Sequence, residues 1–170
     1  MKNIISLFFV LIAFTVSAQF NHIPTDSFTI EGKVKRHLTF SLADLDTFKT
    51  KSLPDVVITD HMGKEKNTLT QLKGILLKDI LNNVEIDAEN PKVLSAYYFV
   101  FVASDNYKVV FSWNELFNTE TGNNVYIITE ENGKKMKDTD ERIAIITVTD
   151  IRTGRRNMSN IQKIIVARAE

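Results

Sequence analysis

The chain has no cysteine in its 170 residues. That absence removes disulfides, thiolate metal ligands and cysteine nucleophiles together, so the folded state must rest on apolar burial. Net charge is missing too, because Lys+Arg and Asp+Glu both number 21. Loss of Lys2 with an N-terminal leader leaves 20 − 21 = −1, which offers no electrostatic reason to expect nucleic acid or an acidic membrane as partner. Histidine is scarce: His22, His37 and His61 stand far apart and make no metal-ligand spacing with one another or with nearby carboxylates. There is no G-x-S-x-G elbow and no carboxylate pair at helical spacing within an expected helix. No Pro/Gly-rich linker, internal repeat or low-complexity tract divides the chain.

What is present begins with an export pattern. Lys2 supplies a positive end, Ile4 to Val16 an apolar run, and Val16-Ser17-Ala18 the small residues a signal peptidase reads. The run is shorter than the roughly 20 residues needed to span a bilayer, and no later stretch approaches that length. Residues 1–18 are therefore expected to be a cleavable signal peptide that leaves no stable membrane anchor. No cysteine follows the run, which excludes a lipid anchor, and only Met1, Lys2 and Asn3 precede it, which excludes a twin-arginine signal. The expected destination is periplasmic or secreted, reached unfolded by the general secretory route. Residues 19–27 read as a flexible tether and 28–170 as one domain, a usual size for a real core.

Phe28 to Val34 alternates apolar and polar, the pattern of a half-buried strand, and His37 to Phe40 reads as a short second strand. Ser41 and Asp44 form a capping pair for a short helix carrying Leu42, Leu45 and Phe48 on one face. Val56 to Thr59 reads as a buried strand after Pro54, Gly63 to Thr70 as a polar stretch, and Ile75 to Leu81 as a second helix. Val93 to Ala103 is apolar on both faces and is expected to be a central strand, with Lys108 to Phe111 beside it. Ser112 and Glu115 cap another helix, and Asn132-Gly133 marks a hairpin after the strand Val125 to Thr129. Ile143 to Val148 and Ile161 to Ala167 close the chain, joined by a polar loop read as a hairpin. The fold class is α+β: one domain with a mixed, mostly antiparallel sheet and short helices.

Three places attract chemistry. Asp60 and His61 end a core strand, where a sheet presents side chains to a cleft, although a solvated turn fits the same residues. Asp105-Asn106-Tyr107 reads as a tight turn. Arg155 and Arg156 beside Gly154 suit an anion, since guanidinium forks match oxyanion geometry, and equally suit a solvated loop.

Taken in order, several segments resemble the molybdopterin-binding domain of the sulfite oxidase family, in its short stand-alone secreted form. They are Phe28 to Val34, Phe40 to Leu45, Gly74 to Leu81, Ala103 to Tyr107 and Phe111 to Leu116. Glu131 to Lys134, Arg142 to Ile145 and Gly154 to Arg156 complete the order. The resemblance implies that family's fold, a molybdopterin cofactor, and a cleft formed by Asp60, His61, Asp105, Tyr107, Arg142, Arg155 and Arg156. It also exposes departures. Catalytic members bind molybdenum through a cysteine, whose place here is nearest Asp60, and a carboxylate cannot reproduce a thiolate's electronics. Lys137 to Asp140 replaces the family's His-Gly-x-Pro, and Ser159 stands where a second basic residue is usual. The expectation is a non-catalytic binding module for a pterin-like or other small anionic ligand, with its cofactor and any protein partner unassigned. A molybdopterin-dependent oxidoreductase or accessory subunit is the alternative, and a ligand-free periplasmic interaction module the third.

Overall fold

The computed structural model describes residues 23–170, so the expected signal peptide and the first part of the expected tether lie outside the described residues. Alternation in Ser27–Gly32 (β1) turns Phe28 and Ile30 into the core. Leu38–Ser41 (β2) returns beside it and runs directly into Leu42–Leu45 (α1). There the Ser41 hydroxyl accepts from the Asp44 amide while the Asp44 carboxylate accepts from the Ser41 amide, the reciprocal cap expected. Thr50–Ser52 (β3), Val56–Thr59 (β4), Glu65–Leu69 (β5) and Lys73–Leu76 (β6) precede Leu77–Leu81 (α2). Tyr97–Ala103 (β7), Lys108–Ser112 (β8) and Trp113–Phe117 (α3) follow, and α3 opens on the Ser112–Glu115 capping box. The chain closes with Val125–Glu131 (β9), Lys134–Lys135 (β10), Ala144–Thr147 (β11) and Ile161–Arg168 (β12). Asn132 and Gly133 join β9 to β10 with φ of 51° and 75°, the left-handed pair that a tight hairpin turn requires.

The strands form three layers. The first sheet has the order β2-β1-β12-β7-β8, in which only β1 and β12 run parallel. The second has β3-β6-β9, with β10 and β11 sharing the edge of β9 opposite β6. The β4–β5 hairpin is the third layer. Ile127 and Ile145 face the main core with Phe28, Phe99, Phe101 and Phe111, whereas Tyr126, Ile128 and Ile146 face a smaller core with Val56, Ile58 and Leu69. The second sheet is thus apolar on both faces because it is covered on both. Among the described residues no helix is long and apolar enough to cross a membrane.

Several expectations need correction. Val93 to Ala103 is not one strand: Pro91–Ala96 forms a 3-10 turn capped by the Asn90 side chain, and the strand starts at Tyr97. β12, not β7, is central in the first sheet. Ile75 to Leu81 is not one helix, because Ile75 is held in β6 between Thr50 and Ile127 and the helix starts at Leu77. The polar stretch after Gly63 is strand β5, which hides only Leu69. Ile23 and Thr25, expected within a flexible tether, are docked: their amides donate to Ser104 Oγ (3.2 Å) and Asn160 Oδ1 (3.3 Å). Finally, Asp150 to Asn157 is no hairpin loop; it carries the chain from β11 in the second sheet to β12 in the first.

Candidate functional site: a cationic cleft at the end of β4

The crossover from β11 to β12 passes directly over β4. The Thr153 hydroxyl donates to Val57 O (2.6 Å) and accepts from Thr59 N (3.1 Å), stitching the crossover to the strand. Gly154 follows because a Cβ there would sit 1.9 Å from Thr59 O. This close approach sets Arg155 at the strand's end.

The turn leaving β4 supplies the opposite side. Asp60 Oδ1 accepts from the amides of Met62 (2.8 Å) and Lys64 (2.9 Å). The Lys64 amide is the main reason its carboxyl lies below the ordinary carboxylate value; desolvation opposes the shift, and the Met62 amide and the charge of His61 add to it. His61 O accepts from Arg152 (3.0 Å) and from Arg155 Nη2 (3.2 Å). The third side is the β7–β8 turn. There Tyr107 N donates to Asp105 Oδ1 (2.9 Å), Asn106 takes φ of 68°, and the Tyr107 hydroxyl donates to Arg155 O (2.9 Å). These pieces enclose about 350 Å3 lined by Thr59, Asp60, His61, Lys66, Tyr107 and Arg155, with Asn157 beside them.

Four of the residues expected from the sequence, Asp60, His61, Tyr107 and Arg155, thus meet in one cleft. Asp105 adjoins it through the turn that holds Tyr107. Arg156 does not line it: its Nε donates to Asp150 Oδ2 (2.7 Å), its Nη2 to the other oxygen of that carboxylate, and its Nη1 to Glu115 Oε1 (3.1 Å). The guanidinium also lies 4.6 Å from the centre of the Phe111 ring. The hydrogen bond to Asp150 leads in raising its pKa further. Arg142 is elsewhere, paired with Asp26 and donating to Thr139 O (3.4 Å). Lys66 and Asn157 are lining residues the sequence reading missed. Lys66 lies in the polar stretch Gly63 to Thr70, which has no distinguishing pattern, and Asn157 carries no local signal.

No family model and no curated protein matches the sequence. Solved structures do. One is the crystal structure of the sulfane dehydrogenase SoxCD from Paracoccus pantotrophus, with a TM-score of 0.61 and 12% identity, covering 82% of this chain and 37% of that chain. The chain has a sulfite-oxidase-like fold. It spans little more than a third of that neighbour's length, and at 12% identity the likeness concerns the fold alone.

The resemblance of the sequence to molybdopterin-binding domains raises the question of whether its residues suit a molybdenum centre, and they do not. The chain has no thiolate to offer. Asp60, nearest the family's cysteine position, is a carboxylate whose Oδ1 accepts from two backbone amides, a hard donor in place of a soft thiolate. Among the described residues no three His, Cys, Asp or Glu side chains gather as a metal site.

Proposed function

We propose that the chain is an exported binding module whose cleft at the end of β4 holds a small anionic ligand, pterin-like or another oxyanion-bearing molecule, and runs no molybdenum chemistry. The observation that carries this reading is a charge imbalance. Lys66 and Arg155 line the cleft against one carboxylate, Asp60, one oxygen of which accepts from two backbone amides. Arg155 gives one hydrogen bond to His61 O and keeps further donors for a ligand in a planar fork; Lys66 adds a mobile ammonium. The Tyr107 hydroxyl, by holding Arg155 O, restrains the loop that carries the fork. Export is supported by the leader pattern, and a chain threaded unfolded takes up its ligand after crossing.

Calorimetric titration with inorganic phosphate and with a phosphorylated pterin tests the reading. A charge-assisted hydrogen bond contributes about 1.5–3 kcal/mol, so Arg155→Gln is expected to weaken binding roughly tenfold or more while the melting temperature stays put. Equal affinity in wild type and Arg155→Gln would dismiss the cleft. The likeness to a dehydrogenase favours a second reading, an oxidoreductase or its accessory subunit. Metal analysis together with a redox-dye assay separates the two.

A further inference from the structure

A second cleft, of about 500 Å3, lies between α3 and the connection from α2 to β7, and it is larger than the cleft beside β4. Phe99, Trp113 and Phe117 line it from β7 and α3, and Ile86, Ala88 and Leu94 from the connection. The rings of Trp113 and Phe117 stack with centroids 5.3 Å apart, and Phe117 rests against Phe99 at 6.1 Å. Both walls are held without help from a ligand. The Ser112–Glu115 capping box and the Arg156–Glu115 hydrogen bond fix the start of α3. Opposite, Lys35 N donates to Glu85 O (2.9 Å), Asp87 N to Lys33 O (3.0 Å), and the Tyr97 hydroxyl to Asp87 O (2.8 Å).

An open cleft of this size, with apolar and polar side chains both in its lining, falls in the range of small-molecule sites, roughly 300–1,000 Å3. Its charge pattern narrows the ligand. At the mouth Lys35 is paired with Glu85, and Glu89 with Arg168 at 3.1 Å. A charged ligand would therefore find these counter-ions already partnered and would give up part of its hydration against the apolar wall. A neutral one loses little and gains contact with two partly exposed aromatic rings, Trp113 and Phe117. We infer that this cleft is a binding site for a neutral, largely aromatic small molecule, separate from the anion cleft. The ligand's rings lie along Trp113 and Phe117, and its polar edge meets the amides of Asn82 and Asn90 at the mouth.

Trp113 is the single tryptophan, so its emission reports on this cleft alone. Titration with N-phenyl-1-naphthylamine, a neutral probe, is expected to quench it saturably at one site per chain. The sulfonated relative 1-anilinonaphthalene-8-sulfonate should bind at least tenfold more weakly. Ala88→Phe, which fills the cleft, should weaken the neutral probe at least tenfold, and Arg155→Gln should leave it unchanged. If Ala88→Phe lowers the melting temperature, Leu94→Asn on the same wall takes its place. Three results would each overturn the inference: no saturable quenching by the neutral probe, a sulfonate that binds as tightly, or folded wall variants that bind like wild type.

Discussion

Arg155 and Arg156 are neighbours in sequence with opposite duties. Arg156 is largely sheltered, its side chain 21% exposed and that of its partner Asp150 12% exposed. Truncation to alanine strands Asp150 and one oxygen of Glu115, and breaking a sheltered pair in this way costs on the order of 3 kcal/mol. Arg156→Ala should therefore lower stability in denaturant unfolding by about that amount. A loss under 1 kcal/mol would mean the clamp is slack. A second residue gives a pH signature. Burial, with the charge of Glu141 adding to it, raises the Glu131 carboxyl above its ordinary 4.5. The stability contribution of its protonated form is full below pH 4.5 and is lost as pH rises through the higher folded value. Glu131→Gln should thus gain on wild type in melting temperature between about pH 4 and about pH 7, and a constant gap would contradict the shift. Local chemistry at this scale was legible in sequence: both capping boxes follow from spacing alone. The division of labour between the two arginines was not, because it depends on how the turn at Thr153–Arg155 directs each side chain.

Elements place these residues, and their packing is as decisive as their pattern. Gly154 lets the crossover lie against β4, and an alanine there must push the chain off Thr59 O. Gly154→Ala is expected to cost about 1–3 kcal/mol, the usual range for overpacking, and to weaken phosphate binding by displacing Arg155. Unaltered affinity would show that the crossover does not position the fork. Phe101 on β7 is fully buried and meets Phe111 edge-on at 5.5 Å. Phe101→Ala should cost about 3–5 kcal/mol, and a small shift in urea midpoint would place that strand outside the core. The alternation of β1 and the unbroken apolar run of β7 beyond Tyr97 could be read from the sequence. β5 could not, since one buried side chain in five leaves no periodicity. β6 and α2 are not separable by pattern, because Ile75 to Leu81 is apolar enough for either structure, and only pairing with β3 and β9 decides where the strand ends.

At the scale of the molecule, the layer order explains both what was legible and what was hidden. Unbroken apolar runs at Val125 to Ile128 and Ala144 to Ile146 mark a sheet covered on both faces, yet they do not say by what. The β4–β5 hairpin is the second cover, and its far end, met by the crossover and the β7–β8 turn, is where the cationic cleft forms. Three segments distant in sequence meet there, so Asp60, Tyr107 and Arg155 could be linked beforehand only through the family resemblance. The same arrangement leaves Arg142 ahead of β11, paired with Asp26, and turns Arg156 toward Glu115 of α3. Anion binding without molybdenum is therefore a claim about the assembled cleft. Native mass spectrometry of the intact protein purified from its own host tests it most directly, because one spectrum weighs polypeptide, metal and ligand together. The expected result is a chain carrying a small anionic adduct and no molybdenum, with the adduct lost in Arg155→Gln. One molybdenum per chain, or an adduct that survives that substitution, would contradict it.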